Sequence, residues 1–156
     1  MKSKTCFVCG EDKELRLFYQ RKDGSIENTC RKCRTRAEYK TQNSNPRDYL
    51  RVLLSKSKYG AKKRDLPWDL DVDGVMTLWD EQKGRCALTG LLMTHAKDGK
   101  GRKDMNVSID RIDQDKGYTM KPRNVQLVCW RVNLLKHNLE EHDLIWWCKN
   151  IVDKNS

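Results

Sequence analysis

Residues 108–136, "SIDRIDQDKGYTMKPRNVQLVCWRVNLLK", change period twice within one short stretch. With the two residues before it, "NVSIDRI" (106–112) alternates as a strand does, and residues 113–123 form a long turn in which Asp113, Asp115 and Gly117 act as turn formers. "NVQLVCW" (124–130) is strand-like again, and "WRVNLLKHN" passes to helical spacing. A hairpin that feeds straight into a helix brings distant residues together. Asp110 lies on the first strand, Asn124 opens the second, and Asn133 falls one turn into the helix. The Asp110 carboxylate and the Asn133 amide oxygen then offer two hard ligands to one divalent cation, with water and phosphate filling the remaining positions. Taken singly, each has a plainer reading: an acid on an edge strand, a turn residue, a surface amide.

Working outward, "DLDVDGVMTLWDEQKG" (69–84) predicts a helix from Asp71 or Asp73 to Gly84, with Val72, Val75, Met76 and Trp79 on its core face. "CALTGLLM" (86–93) reads as a short strand with a turn, and "THAKDGKGRKDMN" (94–106) as a flexible basic loop containing His95. A last helix near 140–153 is expected to bury Leu144, Trp147, Cys148 and Ile151, with His142 exposed near its start. Upstream, Asn45-Pro46 starts a helix resting on the core through Leu50, Leu53 and Leu54 and ending near Gly60. Residues 34–45 read as a polar, partly helical linker.

The N-terminal 34 residues follow a different logic. Cys6-x2-Cys9 and Cys30-x2-Cys33 have the spacing of a tetrahedral thiolate cage for Zn²⁺, with a D-G turn and short strands between the pairs. Only Phe7, Val8, Leu15, Leu17, Phe18 and Ile26 are available for burial, so metal must supply much of the folding energy. "MKSKTCFVCG" lacks the apolar stretch of a secretion signal, and no run approaches a membrane span, so the expected setting is cytoplasmic with no membrane partner.

Charge is divided unevenly. Residues 1–64 hold 18 Lys+Arg against 7 Asp+Glu, whereas residues 65–156 hold 14 against 15. A basic half of this size suits a polyanion, and double-stranded DNA is the expected partner. The candidate phosphate contacts are Arg31, Lys32, Arg34, Arg36, Arg51, Lys62, Lys63 and Arg64.

The order Asp110-Arg111, Asn124, Asn133, with Cys129, Asn133 and Lys136 at the helix start, resembles the HNH, or ββα-metal, endonucleases. "RCALTG" (85–90) is similar to the strand preceding that core in phage and prophage relatives, and the C-x-x-C pairs to the zinc ribbon often joined to it. The resemblance implies an α+β fold: a four-cysteine zinc ribbon over 1–34, a basic linker and helix over 35–64, and an HNH core with a packing helix over 65–156. It implies hydrolysis of DNA phosphodiesters in a restriction, homing or phage setting, in a bacterial or phage-infected cell, leaving 5′-phosphate and 3′-hydroxyl ends. Mg²⁺ or Mn²⁺ would sit on Asp110 and Asn133, and structural Zn²⁺ on Cys6, Cys9, Cys30 and Cys33.

Two departures from the family pattern matter. Arg111 stands where the general-base histidine usually stands, and an arginine cannot take a proton from water at neutral pH. It suits a grip on the scissile phosphate instead. Restriction enzymes of this family with an Asp-Arg pair place a tyrosine seven residues later; Tyr118 has that spacing and becomes the expected water-orienting group. His95 is a rival base, His137 a second metal ligand, and Asn124 a residue that pins the loop. The second departure concerns another four-cysteine site of related nucleases, of which Cys86 and Cys129 remain while Thr89 and Val132 replace the other two. These thiols, like Cys148, are expected to pack as small apolar groups. A homodimer would suit cleavage of both strands at a palindrome, a monomer nicking. A non-catalytic zinc-ribbon DNA binder with a degenerate HNH core is the alternative.

Overall fold

The computed structural model describes residues 2–42, 44–95 and 104–156, the side chains of 39, 41 and 42 excepted. The basic loop expected over 94–106 therefore falls, from 96 to 103, outside the described residues. The chain divides into two units, 1–42 and 43–156.

In the first unit, strands β1 (Ser3–Thr5) and β2 (Asp12–Glu14) pair antiparallel around a tight turn carrying Cys6 and Cys9. Cys6 N–H donates to Glu11 O and Gly10 N–H to Cys6 O, both at 2.9 Å, with Gly10 at φ +70°, where a glycine is favoured. Strands β3 (Phe18–Gln20) and β4 (Ile26–Cys30) form a second hairpin, whose turn is tied by Asp23 accepting from the Ser25 N–H and hydroxyl. Helix α1 (Arg31–Gln42) begins directly after Cys30 and takes Cys33 on its first turn. The segment expected to be partly helical is helix through Gln42. Among the described residues of this unit, the buried apolar set is Cys6, Phe18 and Cys30.

The second unit has a full core. Helix α2 (Pro46–Lys63) is capped by the Asn45 side chain, which accepts from Asp48 N–H, and buries Leu50, Leu54 and Ala61. It runs through Gly60, the expected end, and stops where Asp65 takes φ +53° just ahead of Pro67. Helix α3 (Val72–Glu81) is capped by Asp71, whose side chain accepts from Gly74 N–H at 2.7 Å, and buries Val75 and Leu78. Strands β5 (Val107–Arg111) and β6 (Val125–Cys129) pair antiparallel, with Asp110 opposite Gln126 and Ile109 opposite Leu127. Helix α4 (Trp130–Lys136) follows without a break, and α5 (Glu141–Asn155) after a short turn. Strand alternation sends Val107 and Ile109 into the core with Leu50, Leu54 and Val75. Ser108 and Asp110 face the other way, toward α4, where each meets a side chain of that helix. No described helix is long and apolar enough to cross a membrane.

Two expectations need correction. The segment 86–93 is not a strand but a tight turn closed by an isolated bridge between Arg85 and Leu92. Cys86 N–H donates to Leu91 O and Gly90 N–H to Cys86 O, repeating bond for bond the turn around Cys6, with Gly90 also at φ +70°. And α5 does not bury its apolar stripe: Trp147, Cys148 and Ile151 are exposed and Leu144 only half-buried.

The outer edge of β6 at Leu127 is met by the Gln82 side chain together with Ala87 N–H, which donates to Leu127 O at 2.9 Å. Gln82 accepts from Leu127 N–H at 3.0 Å and donates to Leu127 O at 2.8 Å, standing in for a third strand. Gln82→Ala should lower stability by about 1–3 kcal/mol, because a strand N–H inside the core loses its partner; urea denaturation of the two proteins measures it.

Candidate functional site

A cleft of about 360 Å³ opens beside β5 and α4. Asp110, Arg111, Tyr118 and Asn133 line it, joined by Arg64 from the end of α2 and by His137. Of the expected catalytic residues, Asn124 is not part of the lining, and neither is His95.

Asp110 is 2% exposed, and both carboxylate oxygens accept from Lys136, whose ammonium is fully buried, at 3.1 and 3.0 Å. Gln126 Nε2 donates to Oδ2 at 3.0 Å. Lys136 also donates to Arg111 O at 2.6 Å and Ile112 O at 3.5 Å, so each of its three protons has an acceptor. One turn earlier on α4, Asn133 Nδ2 donates to Ser108 Oγ at 2.7 Å and to Ile109 O at 3.3 Å, closing the open edge of β5. Residues two apart on the strand thus match residues three apart on the helix. The motif order does not announce this ion pair; with residues 107–110 buried on both faces of β5, the acid at 110 calls for a cationic partner one helix away.

The opposite wall is the loop after β5. Arg111 Nη1 donates to Gln114 O and, at 3.1 Å, to Lys116 O; its Nη2 donates to Gln114 Oε1 at 2.9 Å. Three of its five N–H groups are committed to the loop, and two remain. Asn124 holds the same loop from inside: Oδ1 accepts from Asp113 N–H, and Nδ2 donates to Asp113 O and Gly117 O. Asp113 accepts from Asp115 N–H and pairs with Lys116 at 2.8 Å; the Lys116 ammonium, then that N–H, hold its carboxyl below the usual range. Tyr118 follows, backed by Trp68 at 5.3 Å between rings, with its N–H on Pro67 O at 2.8 Å. Its hydroxyl accepts from Arg64 Nη2 at 3.2 Å, and both the Arg64 and Arg111 guanidinium groups lie over its ring, at 5.9 and 5.4 Å. Among the described residues the Arg64 side chain has one other bond, Nε to Gly60 O, which leaves three N–H groups for a ligand.

Does this chemistry fit a hard cation? Asn133 Oδ1 has no protein partner among the described residues, and Asp110 Oδ1 keeps one lone pair beyond those Lys136 and Gln126 use. Two oxygen ligands plus water and phosphate is an arrangement Mg²⁺ accepts. The ammonium already beside the carboxylate weakens its pull on a cation. His137, at the end of α4 with φ +48°, is exposed and bonded through Nδ1 to Asn138 Oδ1 at 2.8 Å.

In the first unit, the Sγ atoms of Cys6, Cys9, Cys30 and Cys33 all lie within 4.8 Å of one another. A tetrahedron with bonds of about 2.3 Å separates its sulfurs by roughly 3.8 Å, so the cluster is consistent with a structural zinc site. Backbone N–H groups, first that of Cys30 and then that of Cys9, hold the Cys6 thiol down at about 6. Hydrogen bonding with Cys30, then burial, pushes Cys33 up to about 12. Four thiols this close resist giving up all their protons, and a dication removes that resistance. By contrast, in the matching turn of the second unit Thr89 replaces a cysteine. There burial acts to raise the Cys86 pKa, but the Thr89 hydroxyl and the Cys129 and Leu88 backbones outweigh it and leave the thiol below its usual range. Cys129 is pushed up to about 11 by burial and then by the charge of Cys86. Both thiols are buried in the core, as expected of small apolar groups.

Of the expected DNA contacts, Arg31 and Arg34 flank the Tyr19 ring at 4.5 and 4.8 Å, and Arg34 pairs with Glu27 at 2.7 Å. Lys32 and Arg36 are exposed on the same helix. Arg51 pairs with Asp48 at 2.7 Å, while Lys62 and Lys63 stand exposed next to Arg64 at the end of α2.

No family model and no curated protein matches the sequence. A solved structure of the rare-cutting HNH restriction endonuclease PacI aligns with 97% of this chain and 94% of its own, at 16% identity and a TM-score of 0.44. A likeness of that degree assigns neither fold nor chemistry.

Two outcomes follow from the geometry. Lys136→Met should cost about 3–5 kcal/mol by leaving Asp110 buried and unpaired, and Asp110→Asn added to it should recover most of that loss; denaturant midpoints of the single and double variants decide. Removing zinc with a chelator should expose residues 1–42 to proteolysis while residues 43–156 stay protected, read by mass spectrometry of the fragments.

Proposed function

We propose that the chain is a metal-dependent DNA endonuclease of the HNH type, with the hairpin and helix of residues 107–136 as its catalytic unit. The supporting observation is convergence: an acid from β5, an amide from α4, a phenol from the loop and an arginine from α2 wall one cleft. Mg²⁺ or Mn²⁺ bound through Asp110 and Asn133 Oδ1 would supply Lewis-acid stabilisation of the charge that builds on a phosphodiester.

The chain's own residues supply the rest. Arg64, with three free N–H groups at the cleft mouth, binds a non-bridging phosphate oxygen by charge-assisted hydrogen bonds. Arg111 keeps the loop closed and adds positive potential with its remaining donors. Because the Tyr118 hydroxyl accepts from Arg64, its own proton and second lone pair are left to orient the attacking water. His137 is the imidazole of the lining and the alternative proton acceptor. Asn124 acts through the loop and touches no substrate. Lys62 and Lys63 extend the phosphate track beyond Arg64, and Lys32 and Arg36 supply further charge on the zinc-bearing unit.

One observation favours the other reading, a DNA-binding protein without catalysis: Lys136 neutralises Asp110. Cleavage of supercoiled plasmid with Mg²⁺ or Mn²⁺ separates the two. Because Asp110 substitutions also break a buried ion pair, Asn133→Ala and Tyr118→Phe are the cleaner probes. Nicked or linear product is expected from wild type, reduced about 100-fold or more by the first and about 10-fold by the second, the scale of a lost transition-state contact. Plasmid left intact with every metal, alongside salt-sensitive binding, establishes the non-catalytic reading instead.

A further inference from the structure

Every other described helix of the second unit buries at least one side chain; α5 buries none. It is nonetheless amphipathic. Leu144, Trp147, Cys148 and Ile151 recur at i, i+3, i+4 and i+7, with Ile145 and Val152 beside them. Trp147 is 53% exposed, Ile151 60% and Val152 59%. We propose that this face is a self-association surface, covered by α5 of a second copy of the chain packed antiparallel across a two-fold axis.

Three features select that occupant. The spacing of the stripe reads the same in both directions, as an isologous contact requires. Antiparallel overlay sets Leu144 against Ile151 of the partner subunit and Trp147 against Cys148 of the partner subunit. The charges favour that register: the same overlay places Glu141, which also accepts from Gln126 of its own chain at 3.5 Å, opposite Lys154 of the partner subunit. It lays the acidic end with Glu140, Glu141 and Asp143 along the end with Lys149, Asp153 and Lys154, which carries a net positive charge, whereas a parallel overlay would stack the acidic ends on each other. The two helix dipoles also oppose.

The amount of surface is sufficient as well. The apolar side chains of α5 expose on the order of 500 Å², at the upper end for the largest patch on a monomer. With their polar flanks they approach the roughly 800 Å² per partner of a standard interface. Trp146 and Trp147, packed edge to face at 4.9 Å, form a rigid aromatic pair of the kind that anchors such contacts.

Cys148 adjoins the two-fold axis, against Trp147 of the partner subunit, so the two Cys148 thiols come within the span of a short cross-linker. Sedimentation equilibrium of the zinc-loaded full chain should give twice the 18.4 kDa monomer mass at micromolar concentration, with monomer returning on dilution. Trp147→Lys and Ile151→Glu, both at exposed positions, should weaken association at least tenfold, about 1.4 kcal/mol, with unchanged circular dichroism. A short bis-maleimide should join two wild-type chains and fail to join Cys148→Ser chains. Three results would each overturn the proposal: a wild type that stays at monomer mass, a dimer indifferent to both substitutions, or a dimer in which Cys148 does not cross-link. The first would leave α5 to a different macromolecule. None of these readouts depends on whether the cleft cuts DNA.

Discussion

Asp110 and Lys136 meet between the hairpin and α4 with almost no access to solvent, at 2% and 0%. Taking two charges out of water costs several kcal/mol per ion, offset only where every donor and acceptor is met. Here two main-chain carbonyls and one glutamine amide, all supplied by the hairpin itself, join the pair's own bonds to meet every proton of the ammonium and all but one lone pair of the carboxylate. The pair therefore selects one arrangement more than it adds stability. A one-residue slip of β5 would turn Asp110 toward the apolar side where Val75 and Leu78 pack, and would carry Ser108 away from Asn133. Helix and hairpin are locked in register, and the cleft between them inherits that rigidity.

The cleft's second wall is held by a different device. Residues 113–117 are a loop with little apolar content, yet Arg111 and Asn124 bind its carbonyls and one of its N–H groups from opposite sides. Gly117 lets the chain pass so close to Pro67 that a Cβ there would lie 2.7 Å from the proline's own. The aromatic ring that follows is thereby fixed against Trp68. One result is a change of emphasis among the basic residues. Arg111, which the motif order placed on the substrate, has most of its donors on the loop. Arg64, which charge alone placed on a helix end, reaches the phenol with more than half of its donors free.

Local pattern made much of this legible. Alternation located both strands of the hairpin to within a residue at each end, caps located α2 and α3, and cysteine spacing located the thiol cluster. What escaped depends on contacts between distant residues. Lysine is so seldom buried that nothing in "VNLLK" marks residue 136 as interior until the strand opposite it is known to carry an acid inward. The stripe on α5 has the period of a core face, yet period alone cannot say which surface, within the chain or beyond it, an apolar face will meet. The segment 86–93 looked like a strand because its apolar residues suit one, while Gly90 and the bond from its N–H to Cys86 O make it a turn.

That turn has a near copy in the first unit, and the comparison separates backbone from metal. Around Cys6 and around Cys86 the chain makes the same two hydrogen bonds and ends on a glycine of the same φ. In the first unit the loop gathers four sulfurs and has little else, since Phe18 is the one large side chain in a buried set otherwise made of cysteines. In the second, Thr89 and Val132 stand in place of two of the sulfurs, and the turn is pressed against Leu127, whose carbonyl accepts from Ala87 N–H at 2.9 Å. The same knuckle is thus stabilised once by the chemistry of a cage and once by an apolar core. The conformation does not require metal; a unit with so little apolar surface to bury is where a bound cation would contribute most.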